Sequence, residues 1–179
     1  MNIAVIGSSL GDLNLDSPID TLPLIFLDTE TTGLDPRKGA KITELAVLDW
    51  QSTLIDVASL EPDDVGDYLA PLRHYFSGTI VVGHNISFDL RHLSAAFEHA
   101  GEAFPDRVLT LDTIALAMEE PKEGLSLRSI AQRRGLDTTE LHTARRDAEI
   151  CRELLTERSN ESARSLGARY LSVHGRLPR

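Results

Sequence analysis

The stretch FLDTETTGLDP, residues 26–36, sets two carboxylates, Asp28 and Glu30, two positions apart at the end of the apolar run Leu22-Pro23-Leu24-Ile25-Phe26-Leu27. That run reads as a buried strand, and a strand sends residues i and i+2 to the same face. Asp28 and Glu30 therefore project together, with Leu27 and Thr29 on the opposite side. At about 3.3 Å of rise per residue their Cα atoms stand roughly 6.5 to 7 Å apart. Like charges at that spacing repel wherever solvent is partly excluded, so either a cation stands between them or one of them holds a proton.

Two more acids break an apolar pattern. In SFDLRHLSAAFEHA, residues 87–100, helical spacing puts Leu93, Ala96, Phe97 and Ala100 on one stripe, and four residues before Leu93 that stripe reaches Asp89. In TARRDAEICRELLTE, residues 143–157, Ala144, Ala148, Cys151, Leu154 and Leu155 form the stripe and Asp147 lies inside it, while Arg145, Arg146, Glu149, Arg152 and Glu153 take the outer face. Taken singly, Asp89 could favour a helix N-terminus through its dipole and Asp147 could pair with an arginine. Together with Asp28 and Glu30 they call for one explanation, because charged groups enter core stripes mainly when paired or metal-bound. Hard carboxylate oxygens suit Mg²⁺ or Mn²⁺, and two such ions about 3.5 to 4 Å apart form a recurring device for cleaving phosphodiesters. Such a device needs a base. His142 stands five residues before Asp147, which is roughly 140° off around a continuous helix, so it belongs to the preceding loop. From there a neutral imidazole can accept a proton from water while Asp147 holds an ion.

The elements that must position these groups follow from periodicity. Residues 23–30, 42–50, 53–58, 79–83 and 106–112 read as strands, and about 63–76, 87–100, 113–119, 125–134 and 143–157 as helices, with Gly101, Pro105, Gly124 and Gly135 as punctuation. Three strands followed by alternating strands and helices predict an α/β domain whose mixed sheet is antiparallel first and parallel later, flanked by helices.

DTETTG at 28–33, HNISFD at 84–89 and HTARRD at 142–147 resemble, in order, the three motifs of the DEDDh 3′–5′ exonucleases, the group that includes the polymerase III epsilon subunit, ribonuclease T and oligoribonuclease. The likeness spans about residues 22–157, and LDTIALAM with LSLRSIAQRRGL fits between the second and third motifs. It implies a ribonuclease H-like single domain, with Asp28, Glu30, Asp89 and Asp147 as ligands of two Mg²⁺ or Mn²⁺ ions and His142 as general base. It also implies that Thr31 to Leu34 line the terminal nucleotide, with Leu34 against its base. In physical terms Gly33 permits a tight turn, and Leu34 is an apolar side chain that would serve equally as core. The implied activity is hydrolysis from the 3′ end of single-stranded nucleic acid, DNA favoured over RNA, with a DNA polymerase or repair complex as partner. The competing reading is a catalytically silent nucleic-acid-binding or regulatory module on the same fold. One departure is plain: between Trp50 and Thr79 the sequence lacks the His-Gly-Ile/Leu-Thr element that many members carry beside the substrate. The expected organisation is an N-terminal extension at 1–21 of unassigned role, an exonuclease domain at 22–158 and a C-terminal helical or tail segment at 159–179.

Composition agrees with a globular chain of 179 residues, 41% apolar and 26% charged. Net charge is −10, which alone argues against a phosphate-rich partner, but it is uneven: residues 1–70 carry thirteen acidic and three basic side chains, whereas residues 125–179 carry eleven arginines against seven acids. An acidic site loaded with cations beside an arginine-bearing half is compatible with nucleic acid. No apolar run approaches a membrane span, the start lacks a basic signal-peptide region, and the single Cys151 fits a reducing compartment, so a cytoplasmic location is expected. No oligomeric state is read from the sequence. GSSLG at 7–11 matches a hydrolase elbow in letters, but GDLNLDSP is a poor helix start, and GDLNLDSPID at 11–20 reads as an acidic linker. The G-x-G-x-x-G of a dinucleotide site is absent. Asp112 reads as an N-cap, and His74, His84, His92 and His99 as structural or solvated.

Overall fold

The apolar run before Asp28 becomes the central strand of the protein. The computed structural model describes residues 13–61, 64–118 and 124–171. Strands β1 (Leu24–Thr31), β2 (Ile42–Leu48) and β3 (Thr53–Val57) form an antiparallel meander. β4 (Ile80–Gly83) then runs parallel to β1, and β5 (Val108–Asp112) parallel to β4. A short β6 (Arg169–Leu171) closes the free edge of β5 in antiparallel sense, giving the order β3-β2-β1-β4-β5-β6. β1 is therefore paired on both sides. That explains why Ile25, Phe26 and Leu27 are all at most 3% exposed.

Helices α1 (Gly66–Phe76), α2 (Ser87–His99), α3 (Thr113–Ala117), α4 (Leu127–Arg133) and α5 (Ala144–Thr156) cover the sheet. Alternate residues of β1 feed two separate cores. Leu24 and Phe26 join Ala46, Leu48, Ile80, Val82 and the Ala144, Ala148 and Cys151 stripe of α5. Ile25 and Leu27 join Leu45, Val47 and the buried sides of α1 and α2, including Leu69, Leu72, Leu90, Leu93 and Phe97. At roughly 1.5–3 kcal/mol for each fully buried large apolar side chain, these two cores fix the sheet between the helices and so fix where β1 ends. This is the mixed, ribonuclease H-like α/β arrangement expected, in one sheet.

Three departures have local causes. β2 stops at Leu48 rather than residue 50, because the Asp49 carboxylate accepts the Gln51 N–H at 2.7 Å and turns the chain. β6 has no periodic signal in three residues. Of residues 11–20, expected as a linker, the described part docks instead: Ile19 is fully buried, its N–H donates to the Glu161 carbonyl at 2.8 Å, and the Arg164 N–H donates to the Leu15 carbonyl at 2.9 Å. Leu13, Leu15 and Ile19 supply the apolar contacts that an acidic composition concealed. The GSSLG stretch lies outside the described residues. Among the described residues no helix is long and apolar enough to cross a membrane.

Candidate active site

The four acids singled out from the sequence come from three elements and meet at the C-terminal end of β1. Asp28 sits opposite the small Ala46 of β2, and Glu30 directly opposite Glu44, both on the face toward α5. Asp28 is 9% exposed. Its strand packs tightly against β4: a Cβ at Gly83 would lie 2.8 Å from the Leu27 carbonyl oxygen, so only glycine permits this approach one residue before Asp28. Asp89, in the first turn of α2 and 3% exposed, reaches β1 from the other face. Its Oδ1 accepts both the Thr29 N–H at 2.9 Å and the Thr29 hydroxyl at 2.7 Å. Thr29 thus faces the α2 side, as alternation requires, and steers Asp89 toward the acids on the α5 side.

Asp147 enters from the first turn of α5, whose N-cap Thr143 accepts the Arg146 N–H. The residue before that cap, His142, is exposed and adopts φ = 77°. This is a left-handed conformation that a non-glycine residue holds only when its surroundings demand it. Its N–H donates to Asp147 Oδ1 at 3.2 Å, which ties the loop to the helix it precedes. Potential ligand atoms of Glu30, His142 and Asp147 all lie within 4.8 Å of one another.

The charges are unbalanced. Burial pushes the Asp28 carboxyl well above its ordinary range, and repulsion from Asp89, Asp147, Glu30 and Glu44 adds to it. Complete burial drives Asp89 up to about 7 even though the two Thr29 hydrogen bonds oppose the rise. Glu30 is raised by burial, then by Asp147 and Glu44. Asp147 is raised by burial, with the His142 N–H and the charges of His142, Arg128 and Arg146 holding it back. Hard oxygen donors that repel one another suit divalent cations.

The structure decides several competing expectations. Among the described residues Asp147 forms no ion pair with an arginine; Arg145 and Arg146 bond to Asp56, Glu149 and Glu153 instead. Leu34 is 83% exposed and is not core. Thr31 and Gly33 lie beneath it, the Thr31 hydroxyl donating to the Gly33 carbonyl at 2.8 Å. Asp112 does cap α3 by accepting the Ile114 N–H. His84 bonds the Thr113 hydroxyl through Nδ1, and burial lowers its pKa. Cys151 is fully buried beneath the cluster, and burial, reinforced by Asp28, lifts its thiol well above the ordinary range.

One acid of the cluster was missed from the sequence. Glu44 Oε2 accepts the N–H of Ala144, the first residue of α5, at 3.0 Å, and so fastens that helix to β2 beside Glu30. The signal existed: Glu44 precedes Ala46 and Leu48 at the same period of two that exposed Asp28 and Glu30.

The family model described as 3′–5′ exonuclease matches residues 15–159. A DNA polymerase III subunit epsilon-like protein of Rhodobacter capsulatus is 28% identical over an alignment covering 92% of this chain but only 28% of that protein. The chain therefore spans little more than a quarter of that relative. The DNA polymerase III subunit epsilon of Rickettsia felis is 26% identical, over 78% of this chain and 75% of that protein. Among solved structures, exonuclease X in complex with 5′ overhanging duplex DNA is similar with a TM-score of 0.51 at 20% identity, over 80% of this chain and 99% of that one. Exonuclease I is similar with a TM-score of 0.55 at 12% identity, over 81% of this chain and 42% of that one. Both share the fold.

Proposed function

The chain belongs to the 3′–5′ exonuclease family, and on that premise we propose that it removes nucleotides from the 3′ end of single-stranded nucleic acid, DNA in preference to RNA, as a DEDDh-type enzyme. The observation that carries this reading is the convergence of four mutually repelling carboxylates, from β1, α2 and α5, beside a loop histidine. Asp28, Glu30, Asp89 and Asp147 would hold two Mg²⁺ or Mn²⁺ ions. When bound, such a pair supplies a polarised attacking water and compensates charge on the leaving oxygen.

The chain's own groups do the rest. Thr29 orients Asp89 through two hydrogen bonds. His142, presented by the loop whose N–H is held on Asp147, takes the proton of the attacking water. Thr31 and Gly33 shape the turn that presents Leu34, and the exposed Leu34 side chain packs on the terminal base. DNA is favoured because relatives at 26–28% identity are named as DNA polymerase III subunits or as similar to one; a polymerase or repair complex is the corresponding partner. The test is a side-by-side digestion of 5′-labelled DNA and RNA oligonucleotides. Ladders that shorten from the 3′ end, faster on DNA, with Mg²⁺ or Mn²⁺ and not with EDTA, are expected. Undiminished cleavage in EDTA, or cleavage from the 5′ end, overturns the proposal.

A further inference from the structure

Helix α2 grips the end of β1 at two points one helical turn apart. The first is Asp89 on Thr29. The second is His92, three residues on and therefore on the same side of the helix, whose Nε2 lies 3.2 Å from the carbonyl oxygen of Gly33. His92 is only 2% exposed, and its ring packs on Phe88 with centroids 4.4 Å apart. Its Nδ1 lies 3.1 Å from the Phe88 carbonyl. Both oxygens can only accept, so a neutral ring makes one of these bonds and a ring carrying both protons makes both.

The loop thus held is the one that presents Leu34. Its base is closed by two bonds between Thr32 and Lys41: the Thr32 N–H to the Lys41 carbonyl, and the Lys41 N–H to the Thr32 hydroxyl, each 2.9 Å. At its crown the Thr31 hydroxyl and His92 both meet the Gly33 carbonyl. Of these, His92 alone comes from another element. Beside its ring is a cavity of about 240 Å³ bordered by Lys41, Val65, Ala96 and His99.

We infer that His92 is a positioning residue for the terminal nucleotide: by donating to the Gly33 carbonyl it locks the Leu34 loop to the helix that carries Asp89. This role rests on the reading that Leu34 meets the substrate, and two independent measurements separate them. The first needs no activity. The loop carries exposed tryptic sites at Arg37 and Lys38, so native-state trypsin cleavage there, followed by mass spectrometry, reports how firmly the loop is held. H92F keeps the ring volume and removes the donor; it is expected to speed that cut about 5- to 10-fold, the range of one lost hydrogen bond. H92Q, which can place an amide N–H near the position of Nε2, is expected to stay near the wild-type rate. Should H92F not fold, H92L makes the same comparison.

The second measurement is steady-state digestion of a 5′-labelled oligodeoxynucleotide with Mn²⁺. H92F is expected to raise KM by a similar factor with kcat within about 3-fold, and H92Q to restore KM. L34A is expected to raise KM too, and adding H92F to L34A to cost little more, because both act through one contact. An unchanged tryptic rate in H92F overturns the inference, as does a loosened loop with unchanged KM, or H92F and L34A effects that simply add. If the wild-type chain digests no nucleic acid, the proposed function fails, while the tryptic arm still decides whether His92 holds the loop.

Discussion

Helix α5 has two faces that treat charge in opposite ways. On the outer face, Arg145 bonds Asp56 at 2.7 Å and Glu149 at 3.1 Å, and Arg146 bonds Glu149 at 3.3 Å and Glu153 at 2.7 Å. Every acid there has a basic partner. On the inner face Asp147 looks toward Asp28 and Glu30; burial raises all three carboxyls, and neighbouring acids raise Asp28 and Glu30 further. The same thirteen residues supply matched charges where water screens them and unmatched charges where it does not. Exposed ion pairs contribute little to stability and are tolerant of change. Unmatched buried acids cost stability unless they hold a proton or meet a cation.

The largest effect expected from this contrast is on turnover. Asp147→Asn is expected to lower kcat by several orders of magnitude and to weaken Mn²⁺ binding in calorimetry, whereas Arg145→Ala, two residues earlier on the outer face, is expected to change kcat less than about 2-fold. Comparable losses in the two variants would erase the distinction between the faces. Next is His142→Ala, expected to cost roughly 10²- to 10⁴-fold in kcat and to flatten the rise of kcat with pH, while calorimetric Mn²⁺ affinity stays near wild type. A loss of Mn²⁺ as severe as that of Asp147→Asn would make His142 a ligand instead of a base.

Stability without metal should respond in the reverse sense. Asp89 is lifted from an ordinary carboxyl to about 7, so between those limits the folded chain holds a proton that the unfolded chain has released. That proton's contribution is fully present below about pH 4 and is lost as pH rises through about 7. The upward shifts of Asp28, Glu30 and Asp147 act in the same direction. With EDTA present, Tm is expected to fall as pH rises across this window, and excess Mn²⁺ to restore it more at pH 8 than at pH 5.5, because deprotonated acids bind cations. Asp28→Asn should raise the metal-free Tm by about 2 to 4 °C for each kcal/mol of repulsion removed. A lower Tm in that variant would mean Asp28 is already satisfied within the chain. The smallest effect belongs to the outer face: Arg145→Ala should move Tm by no more than about 2 to 4 °C, with no dependence on Mn²⁺.

The contrast between the faces also marks what sequence could reveal. Asp28, Glu30, Asp89 and Asp147 stood out because each interrupts a stripe of one period, and burial then places such interruptions together. Glu44 obeys the same rule, but lying within the strand expected at 42–50 it passed as ordinary alternation. What needed the structure was mostly long-range. Nothing local in residues 13–22 announces that Ile19 packs beside residues 159–166, and Arg169–Leu171 becomes a strand only because the edge of β5 offers it a ladder. His92 looked solvated or structural for the same reason: its partner, Gly33, lies 59 residues earlier. The backbone at His142 is another case, since its left-handed φ accompanies a bond to Asp147 that only the folded turn brings within reach.

Cys151 turns this arrangement into a clock. The thiol is fully buried on the inner stripe of α5, touches the Thr113 hydroxyl at 3.9 Å and is held protonated by burial and the nearby acids. A protonated, enclosed thiol does not react with an alkylating reagent. Capture of Cys151 therefore counts the excursions in which α5 lifts from the sheet, and as the only cysteine in the chain it gives a single signal. Because the same helix carries Asp147, one of the proposed cation ligands, added Mn²⁺ should lengthen the capture half-time at fixed pH, so the alkylation rate reads out how long the two halves of the acid cluster stay together.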